Sequence, residues 1–533
     1  MKLWRLPWLS VLLAGAVLSS MNATKLELLV VDETGEPVPC RVLVRSADGR
    51  CAIPAKGDPV TLKIGADQWF ISPGKSQLTF PPGEVEVRVE HGHEFLRLKQ
   101  RQSFGKGKFA STVKLTRWIN MKQHGYLCGE NHLHVDSTSL APQLAAEGLD
   151  FGTSLTWWNG PDALRPVPPG DGPLRTLEYG GRKIPTSIHD AELEHGWGAA
   201  YIQNLPMPLP IAAEGARPNL DYLEHAVNVG GLVHYQGGWS REVGLDALLG
   251  FVHTVNVCNN NFHLHKFQPR SRYSNLLNIE GFPVYPDTEE GMMRMNTATY
   301  YRLLNWGLRL AAGAGSATGA KQTPVGYNRA YVRVKPNATL AEFNRAWAQG
   351  KNFVTNGPMI LLTAGKAKGP GDEIALQGEG REVAISLEAI SAQPLQVVEV
   401  VVNGKVVISL PGKDGLHLVH EGTITVPQGA WIAARCVARD DHLTDEELSA
   451  YRKEARFSEA PSRIRFAHTS PIYITVNGKG ARVRRSLEEG LQMMDALQRY
   501  GQETAGPDHR ARFLEAIEKA RKILKSRLQE TNE

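Results

Sequence analysis

The sharpest chemical signal in this chain is a pair of imidazoles one residue apart, in Gly129-Glu130-Asn131-His132-Leu133-His134. On an extended backbone, residues i and i+2 face the same way, so His132 and His134 can reach one metal ion together. The spacing alone is not selective: His91-Gly92-His93 has it too, and there it reads as a surface pair. Context separates the two. Ten of the 17 histidines fall between His124 and His265, more than twice the share that even spacing would put there. Imidazole collects where ligation or proton transfer is needed.

Other groups in that stretch can complete a ligand set. Glu192 lies in Ala191-Glu192-Leu193-Glu194-His195, where a strand carboxylate can bind an ion, with Glu194 and His195 as weaker alternates. His234 ends the apolar run Gly231-Leu232-Val233, which places it at a strand C-terminus, where α/β sites are built. His263 and His265 follow the apolar run 251–257. Each also reads as a hydrogen-bonded structural histidine.

Other chemistries are poorly represented. The chain has no GxSxG elbow, no GxxxxGK[ST] loop and no HExxH pair. Gly313-Ala314-Gly315-Ser316-Ala317-Thr318-Gly319 is glycine-rich but lacks a phosphate-loop lysine, so it reads as a close-packed turn. The five cysteines contain no CxxC, which excludes a thiolate zinc knuckle. Cys40 and Cys51 can pair in an oxidising compartment or remain as two thiols. The 60 Lys+Arg against 55 Asp+Glu leave a net charge of +5 spread along the chain, which argues against a nucleic-acid partner.

The elements that must position these groups follow from hydrophobic periodicity. The 533 residues predict a multidomain α+β chain. Lys2 and Arg5 precede the apolar run Leu6 to Leu18 and then Ser19-Ser20, a pattern that predicts a signal peptide over 1–22. The expected location is therefore exported, periplasmic or extracellular, with no membrane span after signal removal. An uncleaved anchor is the alternative. Short alternating strands between Gly/Pro turns predict a β-sandwich accessory domain over 24–117, which resembles the carboxypeptidase-regulatory type. Strand-like and helical runs alternate over 118–365, as in an α/β sheet or barrel. Residues 366–480 return to β as an Ig-like sandwich, with Asn403-Gly404 as a two-residue hairpin turn. The tail, 481–533, reads as a helical pair whose apolar stripe is Phe513, Ile517, Leu524 and Leu528.

At these motifs the chain resembles the carbaryl-hydrolase (CehA/McbA-type) branch of the PHP superfamily, named for its polymerase and histidinol-phosphatase members. Gly129–His134 stands against the family's G-D-x-H-x-H. Residues 149–159, ending Thr156-Trp157-Trp158-Asn159, stand against L-D-x-x-x-x-T-D-H-N. Gly230–His234 matches the strand that usually ends in His-Pro, 300–319 the helix and strand before S-D-x-H, and 351–358 the closing block. The resemblance spans roughly 120–360 and rests on the order of these blocks. It implies a PHP-like distorted (β/α)7 barrel flanked by the two β-sandwiches. It also implies divalent ions (zinc, manganese or iron) that activate water against an ester, carbamate or phosphoester.

The departures bear on the site. Tryptophans occupy both ligand positions of T-D-H-N, and Ser316-Ala317-Thr318-Gly319 lacks both ligands of S-D-x-H. Carried over residue by residue, the metal set is His132, His134, Glu192 and His234, with His263 in addition. Fewer ions than the family norm are expected. Trp157, Trp158 and Asn159 become candidates for substrate contacts, by stacking on aromatic or sugar rings, or fill the vacated volume. Two functions follow: an exported metal-dependent hydrolase with a reduced site, or a degenerate barrel that binds a small-molecule, cell-surface or glycan ligand without turnover.

Overall fold

Val85, Val87 and Val89 alternate with charged residues, Leu26, Leu28 and Val30 stand at the same period of two, and each triplet supplies one apolar face of a strand. The computed structural model describes residues 23–531 except 58, 161–171, 211, 264–265, 268–272, 379–380, 442–443, 445, 447–459 and 462. The expected leader 1–22 and His265 lie outside the described residues. The chain divides into two compact units, and Met1–Asn120 is the main part of the first.

In that unit Thr24–Val31 lies between Lys75–Phe80 and Gly107–Lys114. A second, five-stranded sheet has Cys40–Ser46 between Asp67–Ser72 and Gly83–Glu90. Leu26, Leu28 and Val30 from one sheet and Val42, Val44, Val85, Val87 and Val89 from the other fill one core. From Glu86 onward the polar face of Gly83–Glu90 is buried as well. Glu86 pairs with Arg88 at 2.6 Å, and Arg41 bridges Glu90 at 2.6 Å and Glu147 at 2.9 Å. His91 corrects its expectation as a surface residue: it is buried, packs edge-on against Phe95, and hydrogen-bonds through Nδ1 to the Ala146 carbonyl. Cys40 and Cys51 are free thiols.

The second unit is built around a sheet of six consecutive neighbours: β1 (Gly152–Trp158), β2 (Arg182–His195), β3 (Gly198–Gln203), β4 (Leu232–Ser240), β5 (Thr254–Cys258) and β6 (Ala311–Ala314). The β2–β3 and β3–β4 joints are antiparallel and the other three are parallel. Residues 131–134 hydrogen-bond to both outer strands. Asn131 N donates to Ala314 O at the end of β6, and Leu155 N of β1 donates to Leu133 O. The two edges of the sheet thus meet on the segment that carries the two histidines.

A second sheet crosses the expected boundary near residue 365. Tyr126–Gly129, Arg329–Arg333 and Asn352–Thr355 continue through Ile464–Thr469 into Ala430–Arg439 and Ile472–Val476. The antiparallel register Phe353↔Thr469 makes the join. The α/β and C-terminal β regions therefore share hydrogen bonds and one apolar core, which includes Trp157, Val354, Trp431 and Phe466. The Asn403-Gly404 hairpin is present between Leu395–Val402 and Lys405–Pro411, with both turn residues at positive φ.

Two long helices, Arg484–Thr504 and Pro507–Gln529, follow. Phe513, Ile517 and Leu524 are buried, and Phe513 meets Trp197 edge-on at 5.0 Å. The pair is part of the same core. Among the described residues no helix is long and apolar enough to cross a membrane.

Candidate metal centre

His132 and His134 lie in a segment with little regular structure. Leu133 between them makes a single parallel bridge to Thr318. His134 N donates to Thr318 O at 2.7 Å and Ala317 N to His132 O at 2.8 Å, so the glycine-rich turn splints the histidines from behind. Glu130 holds that turn: its carboxyl accepts from Ser316 N at 2.6 Å and from Gly326 N. Burial pushes the Glu130 carboxyl up to about 8, against the lowering effect of those amides and of Arg329. Glu130 is therefore a clamp for the turn.

Glu192 projects from β2 toward the two imidazoles. The His132 and His134 Nε2 atoms stand 2.9 Å apart. Glu192 Oε1 lies 3.2 Å from His132 Nε2 and Oε2 lies 2.9 Å from His134 Nε2. Among the described residues this is the one group of three His, Cys, Asp or Glu side chains whose ligand atoms converge, all within 4.8 Å. The spacing suits an ion. Ligands about 2.1 Å from one centre stand about 3.0 Å apart when cis in an octahedron and about 3.4 Å apart in a tetrahedron.

All three side chains are buried. Burial alone would raise the Glu192 carboxyl, but the two imidazoles outweigh it and hold the group well below the usual carboxylate range. Burial lowers His132, against the raising influence of Glu192 and helped by the charges of His134 and Lys321. A carboxylate held ionised beside two imidazoles is a donor set that a divalent ion can use.

The other expected ligands lie elsewhere. Glu192, Tyr201, His234 and Thr254 form one lateral row, in register from β2 to β5. Strands are about 4.8 Å apart, so His234 is two strands, or about 10 Å, from Glu192. Both of its nitrogens are engaged, Nδ1 with Thr254 Oγ1 at 2.7 Å and Nε2 with Gln203 Oε1 at 2.9 Å. His234 is also the third residue of β4, because that strand runs on to Ser240. His263 is buried beyond the end of β5 and stands outside the converging group. Glu194 and His195 are half-buried neighbours on β2.

The tryptophan pair divides as adjacent strand residues must. Trp157 is fully buried in the apolar core. Trp158 is 41 % exposed and sets its ring edge against His134, 4.5 Å between centroids. Its Nε1 donates to Glu194 Oε2 at 3.2 Å. Asn159 serves the backbone: its Nδ2 donates to Glu194 O at 2.8 Å and its Oδ1 accepts from Glu194 N at 2.7 Å. Asn159 N also donates to Glu192 O at 2.9 Å, so the residue staples β1 to the ligand-bearing end of β2.

Tyr201 is a site residue that motif spacing does not single out. Its ring stacks on His132 at 3.9 Å and 30°, and its hydroxyl donates to Gln236 Oε1 at 3.0 Å. A weaker signal for it exists. Tyr201/Gln203, His234/Gln236 and Thr254/Asn256 are polar pairs at period two inside otherwise apolar strands, and all six are buried. Such pairs mark a polar inward face. Neither a protein-family model, nor a curated protein, nor a solved structure matches the chain.

Proposed function

We propose that this protein is an exported metal-dependent hydrolase with a single-ion site, held by His132, His134 and Glu192. The convergence of two buried imidazoles and an ionised carboxylate carries this reading. Uncompensated, such a cluster would be an expensive arrangement to bury. Two histidines and a glutamate are a ligand set of catalytic zinc sites, and they suit manganese and iron as well. When bound, such an ion lowers the pKa of water and polarises an ester, carbamate or phosphoester oxygen. The protein's part is to orient the donors, exclude bulk water with Tyr201 and Trp158, and offer the open side of the indole to substrate.

The meeting of β1 and β6 on residues 131–134 supports a distorted seven-stranded barrel, in which that segment is the seventh member. This agrees with the resemblance to the carbaryl-hydrolase branch of the PHP superfamily, with most of that family's ligands replaced. A second reading, a ligand- or glycan-binding barrel without turnover, is favoured by one observation: of the tryptophans whose exposure is described, Trp158 alone is exposed, and it flanks the site. Elemental analysis of purified protein, followed by hydrolysis assays on aryl esters, carbamates and phosphoesters, separates the two. One ion per chain that is lost in His132→Ala, together with turnover, supports the hydrolase. Metal-free protein that is unchanged by chelator overturns it. N-terminal sequencing tests export, with the mature chain expected to begin between about Ser19 and Thr24.

A further inference from the structure

Metal-binding histidines normally donate their second ring N–H to a carboxylate, a carbonyl or water, which fixes the ring's tautomer and direction. Among the described residues no protein group accepts from His132 Nδ1 or His134 Nδ1, and both atoms are buried. The contrast with His234, bonded at both nitrogens on the same sheet, shows that the fold can anchor an imidazole in that way.

What contacts the two rings instead is aromatic surface. Tyr201 stacks on His132, and Trp158 presses edge-on to His134. Each of these rings also makes a hydrogen bond at its far end. The Tyr201 hydroxyl donates to Gln236, whose Nε2 donates to Asn260 Oδ1 at 2.7 Å, and the Trp158 indole donates to Glu194.

We infer that Tyr201 and Trp158 are the positioning residues of the metal centre, aiming His132 and His134 by ring packing in place of hydrogen bonds. The inference rests on the metal-site reading above. Binding through Nε2 leaves the ring proton on Nδ1, and without an acceptor there the imidazole is a weaker base than one backed by a carboxylate. The ion should therefore exchange readily, and its affinity should depend on aromatic volume.

The test is cobalt(II) titration of the full chain, read by visible absorption and calorimetry, beside thermal melts. Tyr201→Phe keeps the wall and should leave affinity and spectrum close to wild type. Tyr201→Leu should weaken cobalt binding about tenfold or more, in the range seen when outer-shell partners are lost, and alter the ligand-field bands. Because Tyr201 is buried, Trp158→Leu and Trp158→Phe repeat the comparison at a half-open position. Wild-type protein that binds no cobalt removes the metal-site reading itself. Wild-type binding with unchanged affinity and spectrum in a folded Tyr201→Leu and in Trp158→Leu overturns the aromatic aiming alone. So does a Tyr201→Phe as weak as Tyr201→Leu, which would assign the role to the hydroxyl.

Discussion

Gly319 lies so close behind His134 that a Cβ on it would stand 2.1 Å from the His134 carbonyl oxygen. Its φ of +99° is likewise open chiefly to glycine. Gly315 repeats the relation toward His132, where a Cβ would fall 2.5 Å from the His132 Cβ. The turn is the back wall of the histidine pair.

On the proposed resemblance, position 319 corresponds to a histidine ligand, and restoring that ligand looks attractive from sequence alone. The wall forbids it. Ala317→Asp with Gly319→His should bind no second ion and should lose about 2 kcal/mol or more of stability, because the backbone must leave its present conformation. Metal stoichiometry and thermal melts of the double variant decide. A well-folded variant holding two ions would show that the turn can move.

The two tryptophans should separate stability from function. Trp157→Ala removes a fully buried indole and should destabilise by about 3–5 kcal/mol. Trp158→Ala should change stability by less than about 1 kcal/mol, yet weaken metal and substrate binding. Denaturant titration beside metal titration checks both. Equal destabilisation would mean that Trp158 is packing material.

Asn159→Ala deletes both side-chain bonds to Glu194 and places alanine at a φ of 52°. The expected loss is about 1–3 kcal/mol. Asn159→Gly relieves the backbone but not the lost bonds, so it should recover only part. Metal affinity should fall in both, because the staple also carries the Glu192 carbonyl. Variants with wild-type affinity would free Asn159 for another role.

His91 supplies a pH test. Burial first, then the Arg182 and Arg117 charges, hold it down to about 3 against its backbone hydrogen bonds. A histidine depressed on folding adds stability above its unfolded pKa of about 6.5, and that stability is lost as pH falls toward the folded value. The stability of wild type relative to His91→Gln should therefore decline as pH falls from about 6.5 to 3, at up to ~1.4 kcal/mol per pH unit. His468, also held to about 3 by burial, should behave alike. A pH-independent difference in denaturation midpoints would contradict the burial argument for His91.

Much of the local structure is legible in the sequence because it depends on near neighbours. Val85, Val87 and Val89 form a buried face through strand periodicity, and Asn403-Gly404 turns a hairpin because both residues accept positive φ. The stripe Phe513, Ile517 and Leu524 is buried for the same kind of reason. The HxH spacing and the local density of histidine likewise single out His132 and His134.

By itself, then, the sequence determined the element types, the glycine-rich turn and a short list of donors. Tertiary structure decided which of those donors meet. Glu192 joins the histidines because β2 lies beside β1 and turns its carboxyl inward, whereas His234 shares its row two strands away and spends both nitrogens on Gln203 and Thr254. The same registry brought Tyr201 onto His132 and sent Trp157 into the core while leaving Trp158 at the site. Strand order and register are set by contacts between residues far apart in the chain, and a one-residue shift exchanges the inward and outward faces. No local motif encodes that choice; burial of the whole sheet does.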